Sequence, residues 1–138
     1  MRLLNTSTHT LSEFIGEDVP QYAILSHTWG EEEVLYHDII NGTAETKTGY
    51  AKIEGCCRLA ASNGFTWVWI DTCCINKESS AELSEAINSM YSWYKRAATC
   101  YVYLADVIDF HSQPQVSSGI KWSGWFRRTT VSFTQRGP

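Results

Sequence analysis

The stretch WVWIDTCCIN, residues 67–76, gathers several reactive side chain types. They are a carboxylate at Asp71, adjacent thiols at Cys73 and Cys74, an amide at Asn76 and, one residue on, the amine of Lys77. Metal binding, thiol redox exchange and recognition of a polar ligand at the end of a strand all suit such a set. Structural zinc favours a CxxC-like loop whose two thiolates reach one ion. Cys73-Cys74 and Cys56-Cys57 are instead immediate neighbours. Neighbours point to opposite faces of a strand and diverge by about 100° on a helix. Both pairs therefore read as small buried packing residues, and no metal site is expected. The stretch then reads as a core strand opening at a pocket edge, its tryptophans packed and Asp71 and Asn76 facing the site.

A second polar group follows another apolar run. In YAILSHTWG, residues 22–30, Ser26, His27, Thr28, Trp29 and Gly30 succeed a short strand-like segment. His27 either orients a ligand phosphate or ribose or is a loop histidine satisfied by backbone. Trp29 either stacks on a ring or covers the sheet edge. Asp71 either caps the following turn through an Asx interaction or holds a ligand hydroxyl. Glu82 is explained by helix capping before any catalytic use, and Glu85 by a solvated helix face.

The elements that position these residues follow from pattern. Residues 22–26, 65–71 and 100–107 are apolar, aromatic or β-branched runs of strand length. From Tyr50 to Ser62, Ile53, Cys56, Cys57, Ala60 and Ala61 recur at helical spacing, and Asn63-Gly64 supplies the stop. Ser79-Ser80-Ala81-Glu82 matches a capping box, with Glu82 reaching back to the Ser79 amide. Leu83, Ala86, Ile87, Met90, Tyr91 and Tyr94 then form one stripe. The alternation of strand, helix, strand, helix, strand predicts an α/β fold with a parallel sheet and flanking helices. Right-handed crossovers bring the strand ends to one edge, where Ser26–Gly30, Asp71–Lys77 and Asp106 converge on a ligand crevice.

Composition sets the class. The 138 residues carry 43% hydrophobic and 19% charged side chains with a net charge of −4, as in a single soluble globular unit. No apolar run reaches the roughly 20 residues of a membrane span, and the amino terminus lacks a secretory pattern. A cytoplasmic location is expected, with five reduced cysteines and the sequons at Asn5 and Asn41 unused. Lys95-Arg96 and Arg127-Arg128 are isolated clusters, so neither nucleic acid nor membrane is an expected partner.

The segments YAILSHTWG, EEV at 32–34, GYAKIEGCCRLA, WVWIDTCCINKESSAELSEAINSMYSWYKRA and CYVYLADV together resemble the fungal heterokaryon incompatibility (HET) domain. That resemblance implies a role in non-self recognition and programmed cell death, a form of fungal innate immunity. It also implies a remote kinship with TIR domains, whose fold is flavodoxin-like and some of which cleave NAD. The expected fold is thus a TIR-like, flavodoxin-like parallel sheet with flanking helices. NAD+ is implied as ligand or substrate, with no cofactor bound tightly. Ser26, His27, Trp29, Gly30, Asp71, Asn76 and Lys77 would bind it. The implied partners are proteins, either other HET domains or receptors, with homo-oligomers forming on activation.

TIR-type cleavage uses a glutamate that the family resemblance puts in a run similar to WF-x-RGWTLQEL. Here Trp125-Phe126-Arg127-Arg128 begins such a run and TTVSFTQRGP follows, with no Asp or Glu after Asp109. The domain is accordingly drawn as a partial HET domain at 1–126 with a divergent tail at 127–138, its fold incomplete at the C-terminus. No intact catalytic residue is expected, Glu82 being a weak surrogate. The chain is expected to act as an interaction module with little NAD cleavage. A TIR-like NAD+ glycohydrolase or a non-functional truncated product are the alternatives.

Overall fold

The computed structural model of the protein describes residues 1–103 and the backbone of the strand at 125–128. The strands are β1 (Arg2–Asn5), β2 (Leu11–Glu13), β3 (Ala23–His27), β4 (Trp67–Trp69), β5 (Thr99–Tyr103) and β6 (Trp125–Arg128). The helices are α1 (Tyr36–Asn41), α2 (Tyr50–Ser62) and α3 (Ser80–Arg96), with short 3-10 turns at Gly16–Asp18 and Ala44–Thr46. The strands form one sheet in the order β2-β1-β4-β3-β5-β6.

Strand pairing explains that order. β3 runs parallel to both β4 and β5, in register Ala23↔Val68 and Ala23↔Thr99. The chain crosses from β3 to β4 through α2 and from β4 to β5 through α3. Parallel neighbours require such long connections. Because β4 and β5 both run parallel to β3, which lies between them, the carboxyl ends of β3, β4 and β5 share one edge, as the alternation of elements predicts. The sheet is nonetheless mixed. β1 pairs antiparallel with β2 and with β4, and β6 pairs antiparallel with β5. β6 crosses the boundary drawn at residue 126, while Asp106 and residues 129–138 lie outside the described residues.

The β1–β2 hairpin carries no long periodic signal, and a local side chain makes its turn. Asn5 Oδ1 accepts the amides of Ser7 at 2.8 Å and Thr8 at 3.0 Å, an Asx turn. The Asn5 sequon therefore serves the hairpin. Helix α2 stops where expected: Asn63 caps it, and Gly64 has φ +85°, a left-handed conformation suited to glycine. The side chain amide of Asn63 donates to Leu59 O and to the Tyr101 hydroxyl, both at 2.9 Å. The helix end is thus tied to β5.

The core is built from Leu3 and Leu4 of β1, Ala23, Ile24 and Leu25 of β3, Val68 and Trp69 of β4, Ile70, and Tyr101 of β5. Helix α2 adds Ile53, Cys56, Cys57, Leu59 and Ala60, while Ala61 faces out. Helix α3 corrects its expected stripe. Leu83, Ala86, Met90, Trp93 and Tyr94 meet the core, whereas Ile87 and Tyr91 are exposed. The apolar positions at 86–87 and 90–91 form two adjacent lines, and only the line through Ala86 and Met90 packs on the core. Trp69 is fully buried, with Trp93 and Tyr94 edge-on at 5.5 and 6.0 Å between ring centroids. Removing so large a buried ring leaves a cavity as well as a transfer loss. Trp69→Ala is expected to lower stability by about 3–5 kcal/mol, read from the denaturant midpoint at unchanged m value.

Candidate functional site

At the carboxyl edge, β3 ends with His27 and β4 leads into Asp71. Parallel pairing of the two strands brings these distant residues together. His27 Nε2 lies 2.7 Å from Asp71 Oδ1, and Trp29 Nε1 donates to Asp71 Oδ2 at 3.1 Å. Burial works to raise the Asp71 pKa. The hydrogen bonds from His27 and Trp29 and the electrostatic influence of His27 and Lys77 outweigh it, so the carboxyl sits below its ordinary value. An ionised carboxylate only accepts, so His27 Nε2 carries the proton in this bond. The His27 side chain is 1% exposed, and its Nδ1 has no partner among the described residues.

Lys77 closes the group. Its ammonium donates to the carbonyl of Asp71 and, at 3.3 Å, to that of Thr72. It also lies 4.6 Å from the centroid of the Trp29 ring, within cation–π range. Burial lowers the Lys77 pKa, against the opposing charge of Asp71. Trp29 remains 44% exposed, so part of the ring is open to solvent beside the carboxylate. Ser26 approaches the Tyr94 hydroxyl, which also donates to Leu25 O at 3.3 Å. Burial, reinforced by the charge of Asp71, pushes that hydroxyl up to about 12.

The other expected residues take different positions. The Gly30 amide donates to Glu33 Oε1 at 2.7 Å. Asn76 serves the start of α3: its backbone N–H donates to Glu82 Oε1 at 2.9 Å, and its side-chain Oδ1 accepts from the Glu78 backbone N–H at 3.2 Å. It is thereby engaged away from the His27–Asp71 group. Ser79 Oγ accepts the Glu82 amide at 3.3 Å, forming the expected half of the capping box. The Glu82 carboxylate reaches past Ser79 to Asn76 and pairs with Arg2. Because β1 is antiparallel to β4, Arg2 arrives at this end of the sheet, where Glu82 lines a separate cleft of about 260 Å³. Glu85 is exposed on α3.

Glu33 and Lys52 escaped detection in the sequence. The pair forms a salt bridge at 2.5 Å with side chains only 4% and 9% exposed. Opposite charges 19 positions apart leave no periodic trace; the only signal was Glu33 within EEV. All five cysteines are buried thiols outside any disulfide. Burial pushes Cys57 up to about 12 and raises Cys56, and Cys73 is raised by its hydrogen bond with Cys74 and by burial. Thiolate chemistry is thereby disfavoured. Among the described residues no group of three or more His, Cys, Asp or Glu side chains is arranged for a metal, and no helix is long and apolar enough to cross a membrane.

Fold and edge together define a mixed α/β domain with a preassembled polar cluster where its parallel strands end. Residues 22–132 match the family described as Heterokaryon incompatibility protein (HET), and the chain belongs to that family. It is 50% identical over 116 residues to Vegetative incompatibility protein HET-E-1 of Podospora anserina. The aligned region covers 80% of this chain and 9% of that protein, so the chain spans less than a tenth of the relative's length. No solved structure matches the chain.

The depressed Asp71 pKa has a defined consequence for stability. A carboxyl whose folded value lies below its unfolded value of about 3.9 stabilises the fold above that pH and loses the contribution as pH falls through the folded value. Wild type is therefore expected to melt at a higher temperature than Asp71→Asn at neutral pH. The difference should narrow as pH drops below about 4, as measured by thermal denaturation across a pH series.

Proposed function

We propose that this HET domain is a signalling module of heterokaryon incompatibility whose carboxyl-edge cluster binds an NAD-class dinucleotide, and that the signal passes by association with other proteins. The observation carrying the ligand reading is the partly open indole of Trp29, with the Lys77 ammonium over its ring and the Asp71 carboxylate hydrogen-bonded at its N–H edge. A planar ring can stack on an indole. Asp71 keeps acceptor capacity for hydroxyl donors beyond its bonds to His27 and Trp29. Lys77 supplies a cation suited to phosphate. These three groups match the ring, sugar and phosphate chemistry of a dinucleotide, and they sit where open α/β sheets take ligands.

The TIR-like kinship implied by the sequence motifs supports NAD+ within that class. Binding rather than hydrolysis is the role proposed. Both oxygens of Asp71 are engaged in holding neighbouring side chains, and Glu82 is engaged by Arg2 and the Asn76 amide. Each carboxylate thus has a positioning role in the folded domain. The proposed partners are other HET domains or receptor proteins in the cytoplasm, with homo-oligomers formed on activation.

Titration calorimetry of the purified chain with NAD+ tests the reading. Saturable binding is expected, with Trp29→Ala and Asp71→Asn each weakening it by about tenfold or more. Nicotinamide release, followed chromatographically, should stay at background. No heat with NAD+ at millimolar concentration would remove the dinucleotide, and vigorous nicotinamide release would replace a binding role with an enzymatic one.

A further inference from the structure

The loop that carries Trp29 has no regular secondary structure between His27 and Tyr36, yet its backbone is held at several points. Lys52 Nζ, from α2, reaches Thr28 O at 3.4 Å on one side of Trp29. On the other side the Gly30 amide donates to Glu33 Oε1 at 2.7 Å. The same Glu33 oxygen accepts from Lys52 at 2.5 Å, so one ion pair holds both residues flanking the indole. A third tie is backbone to backbone, with the Gly49 amide donating to Glu32 O at 2.8 Å. A Cβ at Gly49 would stand 2.6 Å from Glu32 O and 3.1 Å from Glu33 Oε2, so this approach requires glycine.

The pair is an expensive way to pin a loop if stability were its whole purpose. Two charges taken from water lose hydration that their attraction only partly returns, and apolar replacements are often as stable. Here Glu33 Oε2 is additionally buried without a partner among the described residues. Lys52 also lies 5.5 Å from the ring centroid of Tyr103, the β5 residue paired with His27. The pair therefore sits where β3 and β5 end together. β3 leads on to β4 on one side and β5 leads on to β6 on the other, so the ends of β3 and β5 border the switch point of the parallel core.

We infer that Glu33 and Lys52 are positioning residues, a latch that sets the Trp29 indole N–H against Asp71 and thereby fixes the affinity of the edge for a ring-bearing ligand. The ligand half of this inference rests on the dinucleotide reading above; the placement of Trp29 does not.

Fluorine NMR of protein labelled with 5-fluorotryptophan, with Trp29→Phe assigning the resonance, reads placement without any ligand. In Glu33→Gln and in Lys52→Met the Trp29 signal is expected to shift or broaden toward that of a solvated indole, while the resonance of buried Trp69 stays in place. NAD+ affinity should fall about tenfold or more in both variants. Lys52→Arg, which keeps the cation, should recover most of both effects. An unmoved Trp29 resonance in folded Glu33→Gln and Lys52→Met would overturn the latch. Absence of NAD+ binding to wild type would defeat the dinucleotide reading and leave the fluorine spectrum to decide the latch. Should the variants fail to fold, hydrogen exchange of the Gly30 amide in the unaltered protein decides. Slowing of about tenfold or more relative to an open loop amide is expected, and exchange at the open-loop rate overturns the latch.

Discussion

The carboxylate of Asp71 is the group around which the carboxyl edge is organised. It stands where β4 has just ended, partly withdrawn from water, and such a charge is costly unless donors replace its hydration. His27 from the adjacent strand supplies one donor and Trp29 from the following loop another, on different oxygens. Lys77 turns back from the next segment to grip the Asp71 carbonyl. The first two contacts satisfy the charge, and all three fix the segments that provide them. Two connections distant in sequence are thereby drawn into one site.

The arrangement depends on the position of β3. A central strand flanked by two parallel neighbours brings three carboxyl ends together, and the crossovers through α2 and α3 deliver Lys52 and Tyr94 to the same region. The antiparallel strands on both flanks have another role. β1 and β2 extend the sheet beyond β4 and bring Arg2 to the start of α3, where it takes up Glu82. The carboxylate named from sequence as a surrogate catalyst is thus a structural partner. The group around Asp71 and the α3 anchoring group occupy separate parts of one edge.

Much of the parallel core was legible because its signals are periodic. The run at 22–26, the aromatic strand before Asp71 and the helices at 50–62 and 80–96 all repeat apolar residues at diagnostic spacings. His27, Trp29, Asp71 and Lys77 were legible too, since strand order alone sends them to one edge. What escaped depends on single contacts. The β1–β2 hairpin turns on one asparagine side chain, and α1 starts after a leucine whose amide is accepted by Asp38 at 2.9 Å. Asn76 follows Asp71 closely, yet the turn into α3 uses its polar groups for capping. Glu33 and Lys52 meet only through the fold, and the outward phase of Ile87 and Tyr91 is set by how α3 lies on the sheet.

Carbon NMR of the Asp71 carboxyl through an acid titration, with the Trp29 indole N–H followed in the same samples, tests the organising role of Asp71 most directly. If the carboxylate holds the edge together, it titrates below the ordinary aspartate value of about 3.9. The indole resonance then moves with the same midpoint as its acceptor is protonated. A midpoint at or above the ordinary value, or an indole indifferent to the titration, would mean that Asp71 does not hold the edge together.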